Sequence, residues 1–191
     1  MKREKKRQRL IYQAAELAIA NRHKGFHCAE CVFLAVNETL QITDPSMVHV
    51  MTGFHGGGGA HRDHPGIDLK WELEESASGR DQRSMEEKPI SITGHLCGAL
   101  AAGIVCFSLL HGRRQPEDDL TCVDELSYEY HRRFQEKFEY KLCAEIRQKW
   151  VPLSENKTCE WIYAQASSMI VELLLESGDL IDRCPGMDLE I

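Results

Sequence analysis

The chain has 191 residues, enough to close one sizeable core. Its 42% hydrophobic and 28% charged residues exclude a disordered chain, and a net charge of −7 argues against general nucleic-acid binding. No apolar run reaches the roughly 18 residues that a membrane span needs, so no span is expected.

The first ten residues, MKREKKRQRL, are basic, but an amphipathic stretch follows them where a secretory leader would be apolar. They read as the solvated start of a helix in a cytoplasmic protein. Leu10, Ala14, Leu17 and Ala18 recur at helical spacing and predict a helix over about 3–22, stopped by Gly25. A second helix starts at His27 or Cys28 and carries Val32, Phe33, Val36 and Leu40. Asp44 and Pro45 open a helical turn toward Met51. From Gly53 through Gly59 the glycines predict irregular backbone. A polar loop then runs over about 60–93, with Pro65, Gly66 and Gly79, and short strands are placed around 67–73 or 89–93.

Residues 96–110 are apolar all round and too short for a bilayer, which predicts a buried central helix. Its small residues, Gly98, Ala99, Ala101, Ala102 and Gly103, suit close packing, including a dimer seam. Pro116 is taken to open a long helix with the stripe Val123, Leu126, Tyr130, Phe134 and Phe138. Four-residue steps drift about 40° each around a helix of 3.6 residues per turn, so a break is expected near Glu139 and Tyr140. A short helix with Leu142, Cys143 and Ile146 follows, then a turn over 152–156. A last helix over about 157–177 buries Ile162, Ala166, Met169, Ile170, Leu173 and Leu174. The expected architecture is all-α: a single domain over 1–191, a bundle of five to six helices, with an irregular insertion at about 60–93.

There are eight cysteines, and in a reducing compartment structural disulfides are not expected among them. Cys28, Cys97 and Cys159 fall at predicted helix starts, where unpaired N–H groups and the helix dipole favour the thiolate that attacks disulfides or binds metals. The bland alternative is that a buried cysteine is merely a small apolar side chain. Cys28 and Cys31 form a CxxC pair on one helix face, suited to a redox couple or two ligands of one metal. No second CxxC exists, which argues against a zinc ribbon, and no His follows Cys31, which removes c-type haem attachment. Cys106 reads as inert core, and Cys122 and Cys184 as peripheral.

His55, His61, Asp63 and His64 cluster around the glycine run with donor types suited to zinc, iron or nickel, although loop histidines are common on surfaces. His27 and His95 sit beside cysteines, where they can modulate a thiolate or cap a helix. The glycine run lacks a GK[ST] ending and a preceding strand, so a nucleotide loop is disfavoured. The glycines instead let this segment pass close to the buried helix near Cys97.

The order Phe26-His27-Cys28-Ala29, then Gly53-Phe54-His55-Gly56-Gly57, then Cys97-Gly98-Ala99-Leu100-Ala101-Ala102, followed by Phe134, Phe138, Cys143 and Cys159, resembles the C_GCAxxG_C_C family of redox-active proteins over about residues 10–175. The resemblance implies that the family's four cysteines are Cys28, Cys97, Cys143 and Cys159, and that its glycine-rich segment is Gly53 to Gly59. Gly53, Gly56, Gly57 and Gly98 are then expected against a cofactor. Cys31, His55, His61 and His64 are further candidate metal ligands. Two departures stand out: Ala102 replaces the last glycine of the CGAxxG motif, with Gly103 following, and the 61–93 stretch is long.

Three functions remain open at this point. In the first, the four cysteines hold an iron–sulfur cluster or zinc for electron transfer with a redox partner protein. In the second, the protein is a metal-free thiol–disulfide oxidoreductase or sensor. In the third, it is a helical scaffold, such as a homodimer, with inert thiols and no cofactor.

Overall fold

Helix α1 (Lys2–His23) turns Ala14 and Ala18 into the core, one helical turn apart, and ends where Gly25 takes a φ of 101°. This computed structural model describes residues 2–61, 91–155, 158–181 and 184. Helix α2 (Cys28–Leu40) is buried from Ala29 through Asn37, so it lies inside the fold. Glu30 fixes its entry: one carboxylate oxygen accepts from the His27 N–H at 2.8 Å and the other from the Thr52 hydroxyl at 2.7 Å. A 3-10 segment, Pro45–Gly57, follows, with Asp44 capping Ser46 N–H at 2.8 Å.

The turns of that segment continue to Gly57, further than the glycines predict, but non-helical angles at His55 and Gly56 interrupt them. Gly56 to Gly59 all have φ between 64° and 126°, a region that side chains disfavour, which accounts for the glycine run. Two two-residue strands, β1 (Ala60–His61) and β2 (Ser91–Ile92), pair antiparallel, with Ala60 opposite Ile92. Ser91 and Ile92 fall within the strand expected at 89–93. The strand expected at 67–73, Asp63, His64 and most of the expected loop lie outside the described residues.

Helix α3 (Gly98–His111) is the buried central helix. Helix α4 (Thr121–Phe138) starts later than Pro116 because side chains hold the backbone in a turn first. The Asp118 carboxylate accepts from the N–H groups of Arg114 and Gln115, and Asp119 accepts from the Thr121 N–H at 2.9 Å. The stripe from Val123 to Phe138 is buried as predicted. It stacks its rings in sequence, with Phe107 on Tyr130 at 5.7 Å, Tyr130 on Phe134 at 5.8 Å and Phe134 on Phe138 at 4.5 Å. The break falls at Glu139, whose φ is 68°.

Helix α5 (Cys143–Trp150) and the short 3-10 turn Val151–Leu153 make a corner, closed by the Trp150 indole N–H donating to the Phe138 carbonyl at 2.9 Å. Helix α6 (Glu160–Leu180) packs on α1, α2, α3 and α4. Charged groups join its outer face to its neighbours: Arg7 of α1 pairs with Glu172 and Glu176, and Arg133 of α4 approaches both at 3.4 Å.

One cluster of buried apolar residues runs through all six helices. The fold is all-α, as the sequence predicts. Among the described residues no helix is long and apolar enough to cross a membrane. The small-residue face of α3 is occupied within the chain, with Gly98 against Cys28 and Gly103 against the Tyr130 ring, so it is not the free seam expected for a dimer.

Candidate functional site: a four-cysteine centre

Four cysteines stand at helix starts. Cys28 is the first residue of α2 and Cys143 the first of α5, while Cys97 and Cys159 immediately precede α3 and α6. Backbone pairing draws them together. The Cys97 N–H donates to the Lys141 carbonyl at 2.9 Å, the Cys143 N–H donates to the His95 carbonyl at 2.6 Å, and Leu96 bridges Leu142. The segments leading into α3 and α5 therefore lie side by side. The Gly94 N–H donates to the Gly56 carbonyl at 2.9 Å, which adds the glycine run to the same site.

Two glycines set how closely these pieces approach. A Cβ on Gly98 would stand 2.5 Å from the Cys28 sulfur, so that sulfur packs directly on the first turn of α3. A Cβ on Gly57 would stand 2.9 Å from the Cys143 Cβ and 2.6 Å from the His95 nitrogen. Cys97 interacts electrostatically with Cys28 first, then Cys143 and then Cys159, so the four share one neighbourhood. Cys28 is half-buried; Cys97, Cys143 and Cys159 are only 5–7% exposed.

Helix starts predict lowered thiol pKa values, and at Cys28 and Cys97 burial reverses that expectation. Burial pushes Cys97 well up, the thiolates of Cys28 and Cys143 push it further, the Leu100 N–H pulls it down, and Cys159 adds to the rise. Burial also raises Cys28, against the N–H groups of Ala29 and Gly56 and the positive charges of Arg147 and Arg22. A helix terminus contributes up to about 2 kcal/mol, which is less than two pK units, whereas full burial shifts a group by about 3–5 units. Desolvation wins, so burial holds Cys28 and Cys97 as thiols at neutral pH. A bound cation would invert this balance.

The other sequence candidates divide. Cys31 is buried one turn below Cys28, donates its S–H to the Phe26 carbonyl at 3.2 Å and is pushed up to about 12, first by burial. His55 stacks on His27, with ring centroids 3.9 Å apart. It is lowered to about 4, by burial and then by His27 and Arg147, so it is neutral. Gly56 and Gly57 are buried at the site, whereas Gly53 is exposed with open space beside it. His95 contributes its backbone, and its residue is exposed. His61 lies in β1, described in its backbone only, and His64 lies outside the described residues. Cys106 is buried within α3, as expected.

Cys122 and Cys184, read as peripheral, are joined in a disulfide, although no disulfide was expected. The sequence reading also missed Arg147, Arg22 and Tyr163, which act electrostatically with these cysteines. Arg147 follows Cys143 by four residues, a spacing that puts both on one face of α5 and was available in the sequence.

The fold and the gathered thiols define a class: an all-helical protein with a buried centre of dispersed cysteines. Residues 82–173 match the family described as "Putative redox-active protein (C_GCAxxG_C_C)", which bears out the resemblance. Cys97, Cys143 and Cys159 lie inside the matched segment, and Cys28 precedes it. No curated protein and no solved structure matches the chain.

Proposed function

We propose that Cys28, Cys97, Cys143 and Cys159 hold an iron–sulfur cluster and that the protein passes electrons to and from a redox partner protein. The observation that carries this reading is that backbone pairing lays the starts of α3 and α5 side by side, with the Cys28 sulfur packed on Gly98 next to Cys97 and Cys159 in electrostatic reach of Cys97. The donor chemistry fits, since burial opposes ionisation at Cys28 and Cys97, the neighbouring thiolates oppose it further at Cys97, and iron would relieve both. A single zinc fits less well. Its Zn–S bonds of about 2.3 Å would hold four sulfurs about 3.8 Å apart. Among the described residues, the one group of three such ligand atoms lying within 4.8 Å of one another is elsewhere, at His111, Cys122 and Cys184. Thiolates on different irons of a cluster stand further apart than ligands of one ion.

The cluster would supply one-electron chemistry at a potential set by its surroundings. The chain's own residues do the rest. Gly57 and Gly98 allow close approach, and the N–H groups of Ala29, Gly56 and Leu100 point at sulfur. Arg147 and Arg22 offset negative charge, and the packing that buries Cys97, Cys143 and Cys159 keeps water from three of the four cysteines. Protein purified without oxygen is expected to contain iron and acid-labile sulfide with a visible thiolate-to-iron band, all lost in Cys97→Ser. Absence of iron and sulfide, even after reconstitution, would sink this reading.

A second reading has its own support. The thiolate that Cys97 feels most is Cys28, whose sulfur lies on the adjacent Gly98. These two thiols could pass two electrons and two protons to an oxidant and form a disulfide. Metal-free protein that loses two titratable thiols on mild oxidation, and regains them on reduction, would favour it.

A further inference from the structure

The far end of α3 carries a second thiol set that the four-cysteine centre does not use. His111 closes α3, Cys122 is in the first turn of α4, and Cys184 follows α6. The 14 residues of α3 put this set about 20 Å from Cys97, at 1.5 Å per residue. Cys122 and Cys184 are 8% and 6% exposed, 62 residues apart in sequence, and joined with their Cα atoms 4.9 Å apart. A disulfide needs only those two side chains. Yet a ring nitrogen of His111 lies within 4.8 Å of both sulfurs. The His111 Nε2 is moreover buried with no hydrogen-bond partner. A buried ring nitrogen without a partner is costly, and a metal ion is the partner that one imidazole and two thiolates share.

We propose that, when the Cys122–Cys184 bond is reduced, His111, Cys122 and Cys184 form a Cys2His site for a thiophilic divalent cation of the zinc class. The end of α6 is thereby tied to α3 and α4 by a disulfide in one redox state and by a metal in the other. A dithiol reductant breaks the sulfur–sulfur bond. It gives up two electrons, is itself oxidised to a disulfide, and its two protons go to the two cysteine sulfurs. Binding the cation then releases those two protons as the thiols become thiolates. Three protein ligands leave a fourth position for water.

The test is cobalt titration of the full chain, reduced with a dithiol and desalted without oxygen, read by the thiolate-to-cobalt charge-transfer band. Cys97→Ser takes one ligand from the four-cysteine centre, and the His111→Gln and Cys122→Ser differences read this site apart from any cobalt the remaining thiols hold, so failure of the function proposed above leaves this result untouched. The reduced Cys97→Ser chain is expected to bind about one Co2+ that zinc displaces, and the unreduced chain none. Adding His111→Gln is expected to weaken that binding at least about 10-fold while leaving both thiols titratable, and Cys122→Ser to abolish it. The His111→Gln difference measured in the parent chain serves if Cys97→Ser does not fold. Failure of the reduced chain to bind cobalt, or a band unchanged by His111→Gln, would overturn the proposal.

Discussion

At Gly98 and Gly103, two glycines five residues apart on α3, a hydrogen stands where a methyl would collide, but the neighbours differ. Beside Gly98 the obstacle is the Cys28 sulfur, at 2.5 Å from the would-be Cβ. Beside Gly103 it is the ring of buried Tyr130, whose hydroxyl donates to the Ala99 carbonyl at 3.0 Å. Either Gly→Ala change overpacks a close-packed interior and is expected to cost about 1–3 kcal/mol in denaturant unfolding. Only Gly98→Ala moves a cysteine of the centre, so it is expected to lower iron content or Cys28–Cys97 disulfide yield, with Gly103→Ala leaving both near the parent value. Equal losses in the two variants would show that the centre responds to stability alone. The contrast also bears on Ala102, where the CGAxxG pattern has glycine: Ala102 is fully buried, and close approach to Tyr130 is secured by Gly103.

Helix ends carry the information at the next scale. Helix α2 closes on Gln41 in the left-handed region, with φ 54° and ψ 46°, its N–H donating to the Asn37 carbonyl at 2.7 Å. Glycine relieves the contact that an L side chain makes there, so Gln41→Gly is expected to raise stability by about 0.5–1 kcal/mol, seen as a higher denaturant midpoint at unchanged slope. The helices were legible where a local pattern decides them. The stripe from Val123 to Phe138 gave α4, and the drift of four-residue steps placed its end at Glu139. The start of α4 was hidden because Asp118 and Asp119 bond to backbone and hold a turn that Pro116 alone does not foretell. Cys143 as the first residue of α5 was equally hidden, since Leu142 before it offers no capping side chain. The pairing of residues around Cys97 with those around Cys143, and of Cys122 with Cys184, joins points about 45 and 62 residues apart. No local periodicity encodes such contacts, and the assembly of the site depends on them.

Across the whole molecule the buried titratable groups make stability depend on pH at both ends. His55 is held at about 4, below its ordinary 6.5, so between these values the unfolded chain binds more protons than the native one. Stability is therefore expected to fall as pH drops from about 6.5 toward 4, and His55→Gln to flatten that limb in midpoints measured against pH. On the alkaline side the signs reverse. Cys31 and Cys106 are both pushed from 9.0 up to about 12, so the native chain holds protons that the unfolded chain has released. Their contribution is complete below about pH 9 and is lost as pH rises toward 12. In metal-free protein Cys28 and Cys97 add to that fall, since both are raised from 9.0 by burial. In the proposed loaded form Cys28, Cys97, Cys143 and Cys159 would be held as thiolates by iron and would no longer titrate, while Cys31 and Cys106 still would. The proposed ligands stand at the starts of α2, α3, α5 and α6, so loading would join four helices and stabilise the native state alone. Loaded protein is thus expected to melt at a higher temperature than the metal-free form at pH 7, and the gap to widen from pH 8 to pH 10 under anaerobic conditions. Cys106→Ala is expected to reduce the alkaline fall equally in both forms. A gap that stays constant or narrows with rising pH would mean that Cys28 and Cys97 do not give up their protons to the bound centre.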